Sequence, residues 1–281
     1  MRAERGFTLI ELLVVLVLLG IVGGIVTDLM LRQQRVAAES IERLGLQSRL
    51  RTGVVLLTTE LHEATGASAG GDLLQLAPDS ITYRAMRAFG IVCDVTPSRL
   101  LLREVPFHGV RRPQAGRDSI LLFVEGDSSI ATDDRWLPLP VTGTGSGTGC
   151  GGQAVLSLDT VLDTALVPLS AIHLETAARI FEIMQVRLYQ SGGLFWLGAR
   201  SVSAGETIQP VLGPLTGTGL ALQYFDSAGG PTTVPAAVRT IEIGLRARSE
   251  HLVRSAAGAA PAALLQDSVL VRIGLRNAPP F

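Results

Sequence analysis

The sequence predicts an α+β protein in which one long amino-terminal α-helix packs on a predominantly antiparallel β head. Three observations predict it. Residues 7–26 form an apolar run in which Glu11 is the single charge. Apolar residues at helical spacing then continue from Leu31 to Thr65. Beyond Gly71 the apolar period changes from 3.6 to 2, the signature of strands.

The apolar run comes first. At about 1.5 Å rise per residue, its twenty residues from Phe7 to Val26 span about 30 Å, one hydrocarbon thickness. Arg2 and Arg5 precede it and Asp28 follows, which by the positive-inside rule places the amino terminus in the cytoplasm and exports the rest. A secretory signal peptide is shorter in its apolar part and ends in a small-residue cleavage site, whereas this run continues without one. Two residues depart from a plain anchor. Gly6 is a small residue at the junction of charged leader and span, where a peptidase at the cytoplasmic face can reach the Gly6–Phe7 bond. Glu11 is a carboxylate inside the span, which costs on the order of 2.5 to 3.5 kcal/mol on insertion scales and so calls for a functional partner.

The segment Arg5, Gly6, Phe7, Thr8, Leu9, Ile10, Glu11, Leu12 resembles the signal of type IV prepilins and type II secretion pseudopilins. The resemblance implies cleavage after Gly6 by prepilin peptidase, methylation of the new amino terminus at Phe7, and an assembly role for Glu11 against the terminal ammonium of a neighbouring pilin-like subunit. It implies a leader over residues 1–6 and a transmembrane and filament-core helix over 7–31. An amphipathic continuation over 32–65 and a periplasmic or extracellular head over 66–281 complete the expected organisation. The chain is then expected in the inner membrane as a single pass, with its head later carried in a filament.

In the continuation, Val36, Ile41, Leu44, Leu50, Val54, Leu57 and Leu61 recur at helical spacing with charges between them, and the Gly, Ala and Ser cluster after Thr65 reads as the helix stop. Gly23 and Gly24 each weaken the first half by about 1 kcal/mol relative to Ala. Close packing of membrane helices and a segment able to melt explain them equally well.

In the head, Ser80–Met86, Phe89–Val95, Ser98–Val105 and Asp118–Glu125 read as short strands of a meander. Ala178–Gln190 and Leu194–Val202 flank Ser191, Gly192 and Gly193, a hairpin signal. Residues 240–248 and 269–276 alternate apolar with polar, as half-buried antiparallel strands do. The order of GLALQYFD, a Gly-rich turn, AAVRTIEIGLRARSE and VLVRIGLRN is similar to the larger minor pilins of the PilW group and the pseudopilin J group. That resemblance carries no binding residues. It implies a minor pilin or pseudopilin that initiates, caps or joins a filament; the rivals are a filament-tip adhesin or DNA receptor, and an anchored hydrolase.

The remaining chemistry is sparse. All 24 basic residues are Arg, so Schiff-base lysines, a P-loop lysine and a Ser/Lys dyad are excluded. Net charge is −1 and becomes −2 once Met1–Gly6, with two Arg and one Glu, is removed, so no global basic field marks a nucleic-acid partner. Arg111, Arg112 and Arg117 form a local basic loop, read as solvated, with contact to DNA phosphates kept as the minor alternative. Thr142–Gly152, TGTGSGTGCGG, formally contains GxGxxG but lacks the strand-before and helix-after context of a dinucleotide site, and is expected as a flexible surface loop. His62, His108, His173 and His251 are scattered without metal-ligand spacing, so no metal, cofactor or catalytic residue is assigned. Two cysteines in an exported head predict a Cys93–Cys150 disulfide.

Overall fold

The computed structural model describes residues 9–65, 71–105, 107–127, 129–130, 133–254 and 261–276. Helix α1 spans Leu9–His62 without a break. Every residue from 9 to 34 is exposed, and the most apolar 18-residue window has a mean hydropathy of 2.9 with none of it buried. A surface that apolar is stable in water only when lipid or other helices cover it. The chain divides into two compact units. One takes α1 up to Ser48 together with Arg248–Asp267, and the other holds Arg49–Ala247 and the chain from Ser268 onward.

Strands follow the helix in the order β1 (Leu73–Ala77), β2 (Ser80–Thr96), β3 (Arg99–Arg103), β4 (His108–Gly109) and β5 (Ser119–Val124). Next come β6 (Arg135–Pro140), β7 (Gly143–Gly149), β8 (Gln153–Asp159) and β9 (Ala177–Ser191). The last are β10 (Leu194–Ser201), β11 (Gln209–Phe225), β12 (Thr240–Arg248) and β13 (Gln266–Gly274). They form a sheet with the spatial order β13-β12-β11-β10-β9-β2-β3-β8-β7, while β1 and β4 pair with β2, and β5 pairs with β6 and β9. The fold is α+β, with the last segment of the helix packed on an antiparallel sheet.

Only the second half is a meander. β9 to β13 lie side by side in chain order, with Gly192 and Gly193 at φ 59° and 75° making the tight β9–β10 turn that a Cβ would strain. The first half departs from the expected meander because β2 crosses to pair with β9, from Ser80↔Arg187 to Ile91↔Ala177. Ser80–Met86 and Phe89–Val95, expected as separate strands, are parts of β2. Their continuity was hidden by a bulge, since Met86 faces Phe181, Ala88 faces Ile180, and Arg87 is the extra residue.

Thr142–Gly152 is not a flexible loop: β7 pairs with β8 residue for residue from Gly143↔Asp159 to Gly149↔Gln153. A fixed ladder here overrides the poor strand propensity of Gly.

The helix packs through Leu50, Leu57 and Leu61, all buried, with Gly53 between them. A Cβ on Gly53 would lie 2.7 Å from Leu212 Cδ2 and 2.8 Å from Leu245 Cδ1, so the ends of these two sheet side chains fill the place a larger residue would take. Val36, Ile41 and Leu44, expected on the packed face, are exposed. At about 100° per residue Ile41 and Leu44 lie half and a third of a turn around the helix from Leu50, on a second apolar stripe that is not packed, whereas Val36 lies within about 40° of Leu50 and is exposed all the same. α1 ends at His62, three residues before the expected stop, where its carbonyl accepts the Arg276 N–H at 2.9 Å. That bond satisfies one of the carbonyls a helix end leaves free. A further core gathers Val92, Leu100, Leu102, Ile120, Leu122 and Leu158 from β2, β3, β5 and β8. Each such side chain contributes about 1.5–3 kcal/mol by leaving water.

Candidate functional site

Glu11 occupies the first turn of α1, exposed among apolar neighbours that are themselves exposed, including Leu9, Ile10, Leu12 and Leu13. Gly6 and Phe7 lie outside the described residues. Farther along, Thr27 Oγ1 donates to the Gly23 carbonyl at 2.8 Å. Helix α1 runs through Gly20, Gly23 and Gly24, and a Cβ at any of the three would meet nothing within 4 Å. Among the described residues these glycines therefore serve no packing, and the face they leave there is open to another helix.

The carboxyl end of α1 is held differently, by charge. Glu182 on β9 is buried, and Arg87 Nε donates to its Oε2 at 2.8 Å while Arg111 Nη2 donates to the same oxygen at 3.0 Å. Arg117 Nε lies 2.6 Å from Glu182 Oε1, an ion pair whose angle falls outside that of a hydrogen bond. Arg87 also reaches Glu60 of α1 at 3.3 Å, Arg111 grips the buried Asp118 with two bonds of 2.6 and 2.7 Å, and Arg117 pairs with Glu206 at 2.6 Å. Burial alone would raise the Glu182 carboxyl, but hydrogen bonds from Ser201, Arg87 and Arg111 outweigh it and hold the group below the usual carboxylate range. The Asp118 hydrogen bond leads the contacts that raise Arg111. The bulge at Arg87 turns this side chain toward both Glu60 and Glu182, and so ties helix to sheet.

Beside it, buried Asp72 accepts from Arg179 at 2.8 Å and from the Thr65 N–H at 3.0 Å. This fixes the chain on either side of the helix-to-sheet connection.

Comparison with known proteins bears on the other end of the helix. The family model of the prokaryotic N-terminal methylation motif matches residues 1–27. The amino terminus is that of a type IV pilin-like protein. No curated protein and no solved structure matches the chain. The motif implies processing by prepilin peptidase and assembly with other pilin subunits, and together with the apolar helix it indicates a membrane-anchored pilin. It points to a structural pilin-type protein rather than an enzyme.

The head places the basic loop among carboxylates. Arg111 and Arg117 are half-buried rather than fully solvated, and their guanidinium groups pair with Asp118, Glu182 and Glu206. Arg112 pairs with Glu104. The sequence shows the three arginines near Glu104 and Asp118, but not that Glu182 of β9 and Glu206 of the β10–β11 connection reach Arg111 and Arg117. The histidines stay apart: His108 stacks on Phe89 at 4.6 Å between centroids, and His173 pairs with Glu125. Among the described residues no group of His, Cys, Asp and Glu is placed to hold a metal ion.

Cys93 and Cys150 are joined by a disulfide, with their Cα atoms 5.9 Å apart. Cys93 is another bulge residue, since Val92 faces Leu102 and Asp94 faces Leu101. Cys150 sits at φ 47° in the β7–β8 turn. The bridge therefore ties β2 directly to the β7–β8 turn, and so to the end of β7, the last strand of the sheet.

Proposed function

We propose that this chain is a minor pilin or pseudopilin that initiates, caps or joins a type IV pilus or type II secretion pseudopilus. The observation that carries the reading is the coupling of a methylation motif over residues 1–27 to a helix whose residues 9–34 are wholly exposed. Such a surface leaves the bilayer only by entering a bundle of similar helices. A head extending over residues 66–281 is large for a subunit repeated at every position of a filament, which favours a low-copy role.

In this reading prepilin peptidase cuts between Gly6 and Phe7 and methylates Phe7, and the uncut chain sits in the inner membrane with its amino terminus in the cytoplasm. Glu11 then lies four residues, ~6 Å along the helix, from the new terminus. A neighbour shifted axially by a similar distance brings its terminal ammonium to the carboxylate. Two opposite charges in a low-dielectric medium offset much of each other's desolvation, whereas either one alone is penalised by several kcal/mol, so the pair sets the register.

Intact-mass measurement on protein from its native host, with quantification of the chain in sheared filaments, tests the reading. The expected result is a chain starting at methylated Phe7, present at a small fraction of the major subunit. A chain retaining Met1–Gly6 beside active peptidase, or one matching the major subunit in copy number, overturns it.

A further inference from the structure

Strand β7 is the last strand of the sheet, and among the described residues it pairs only with β8. Its outer edge presents backbone N–H and C=O groups, and Thr144–Thr148 are exposed. Native edge strands are normally blunted by charge, by proline or by a bulge. β7 has no charged residue and no proline, and its ladder with β8 shows no register shift. The strand is also held at both ends: the Thr142 N–H donates to the Asp159 carbonyl at 2.8 Å, and Cys150 is bridged to Cys93. An edge strand of poor intrinsic propensity is thus fixed in place, with its outer edge unpaired by any other strand among the described residues.

Its sequence reads Gly143, Thr144, Gly145, Ser146, Gly147, Thr148, Gly149, the same in both directions about Ser146. Alternation puts the four glycines on one face and Thr144, Ser146 and Thr148 on the other. Neighbouring side chains of β8 and β3 account for three of the glycines, because a Cβ on Gly143 would lie 2.4 Å from Asp159 Oδ2, one on Gly145 2.8 Å from Ser157 Oγ, and one on Gly149 3.2 Å from Leu101 Cδ1 and 3.3 Å from Val155 Cγ2. Gly147 has open space around it, and nothing in β8 explains why the sequence mirrors itself.

We propose that β7 is a homotypic docking edge that pairs antiparallel with β7 of a second copy about a two-fold axis at Ser146. In that register Ser146 faces Ser146, Thr144 faces Thr148, and glycine faces glycine. The contact is isologous, residue i meeting j and j meeting i, and the mirrored sequence makes every facing pair a pair of like residues. Hydroxyl pairs on one face form a cross-strand ladder, and the glycine face lets the two backbones meet without obstruction. Charge does not oppose the approach. The nearest guanidinium, that of Arg112, reaches Ser146 Oγ at 3.4 Å and is neutralised by Glu104.

A seven-residue edge buries less than the ~1,000 Å² of a stable free dimer. Copies anchored by α1 in one membrane meet at a high effective concentration, which suits a weak and reversible contact of this kind. The pairing does not depend on which filament the chain enters.

The test uses the full chain in proteoliposomes, with single cysteines oxidised under conditions in which mapping shows the native bridge intact. Directly opposed residues have Cβ atoms about 4.5–5.5 Å apart, whereas Thr144 of the two copies would be about 13 Å apart. Ser146→Cys is expected to link to itself. Thr144→Cys and Thr148→Cys are expected to link when mixed and not when alone. Ser146→Lys placed in the mixed pair sets two ammonium groups face to face and is expected to abolish the link. Linking of Thr144→Cys to itself as strongly as to Thr148→Cys, absence of any link in folded Ser146→Cys, or persistence of the link with Ser146→Lys overturns the proposal. None of these outcomes touches amino-terminal processing or recruitment, on which the filament reading rests.

Discussion

Arg87 donates to Glu182 over 2.8 Å from a bulge in the middle of β2, and the same guanidinium reaches back to Glu60 on the helix. The pair is the inner end of a network in which four carboxylates, two of them buried, pair with three arginines, and it anchors the carboxyl end of α1 to the sheet. Buried ion pairs add little net stability when complete, but removing one partner leaves a charge that water cannot reach.

Glu182→Gln is accordingly expected to destabilise the head by about 3 kcal/mol, the low end for a broken buried pair, because Glu60, Asp118 and Glu206 still serve the three arginines. The native Glu182 carboxyl is held below its ordinary range. Its contribution is therefore fully present above the carboxylate range of the unfolded chain and is lost as pH falls through the depressed native value. Denaturant unfolding of the full chain in detergent between neutral and acid pH checks this. Wild type should lose stability more steeply on acidification than Glu182→Gln.

Gly53 is expected to tolerate Ala and reject larger residues. Alanine recovers about 1 kcal/mol of helix propensity, and the atoms it meets, Leu212 Cδ2 and Leu245 Cδ1, are the far ends of flexible side chains. Gly53→Leu forces the helix off the sheet, at a cost of about 1–3 kcal/mol. Comparison of unfolding midpoints for the two variants decides it.

The Cys93–Cys150 bridge closes a loop with a sequence separation of 57, for which the chain-entropy model gives about 4 kcal/mol. Cys150→Ser should lower stability by up to that amount and raise hydrogen exchange in β7, whose outer end the bridge holds. Two thiols reacting with a blocking reagent in the non-reduced, unfolded wild type would show that the bridge does not form.

Glu11→Gln and Glu11→Leu are expected to insert and to be cut normally but to enter filaments poorly. After mass measurement confirms cleavage, the readout is recovery in sheared filaments or crosslinked assembly complexes, with a several-fold loss expected. Incorporation equal to wild type would reassign Glu11 to peptidase recognition or to membrane extraction.

By itself, the sequence determined what depends on local pattern. Residues 7–26 are too apolar and too long for anything but a span or a helix bundle, and the helix and the β9–β10 hairpin follow from period and turn chemistry. Tertiary structure decided what depends on partners far away in the chain. Of the two apolar stripes on α1, that of Leu50, Leu57 and Leu61 is packed because the gap at Gly53 admits Leu212 and Leu245. The bulges at Arg87 and Cys93 arise from pairing β2 with β9 and with β3, and no local signal marks either one. Arg111 and Arg117 read as a basic loop because Glu182 and Glu206, which pair with them beside the local Asp118, come from β9 and the β10–β11 connection. Glycine-rich residues 143–149 became a strand because β8 offered a complete ladder, and backbone pairing does not ask for side chains.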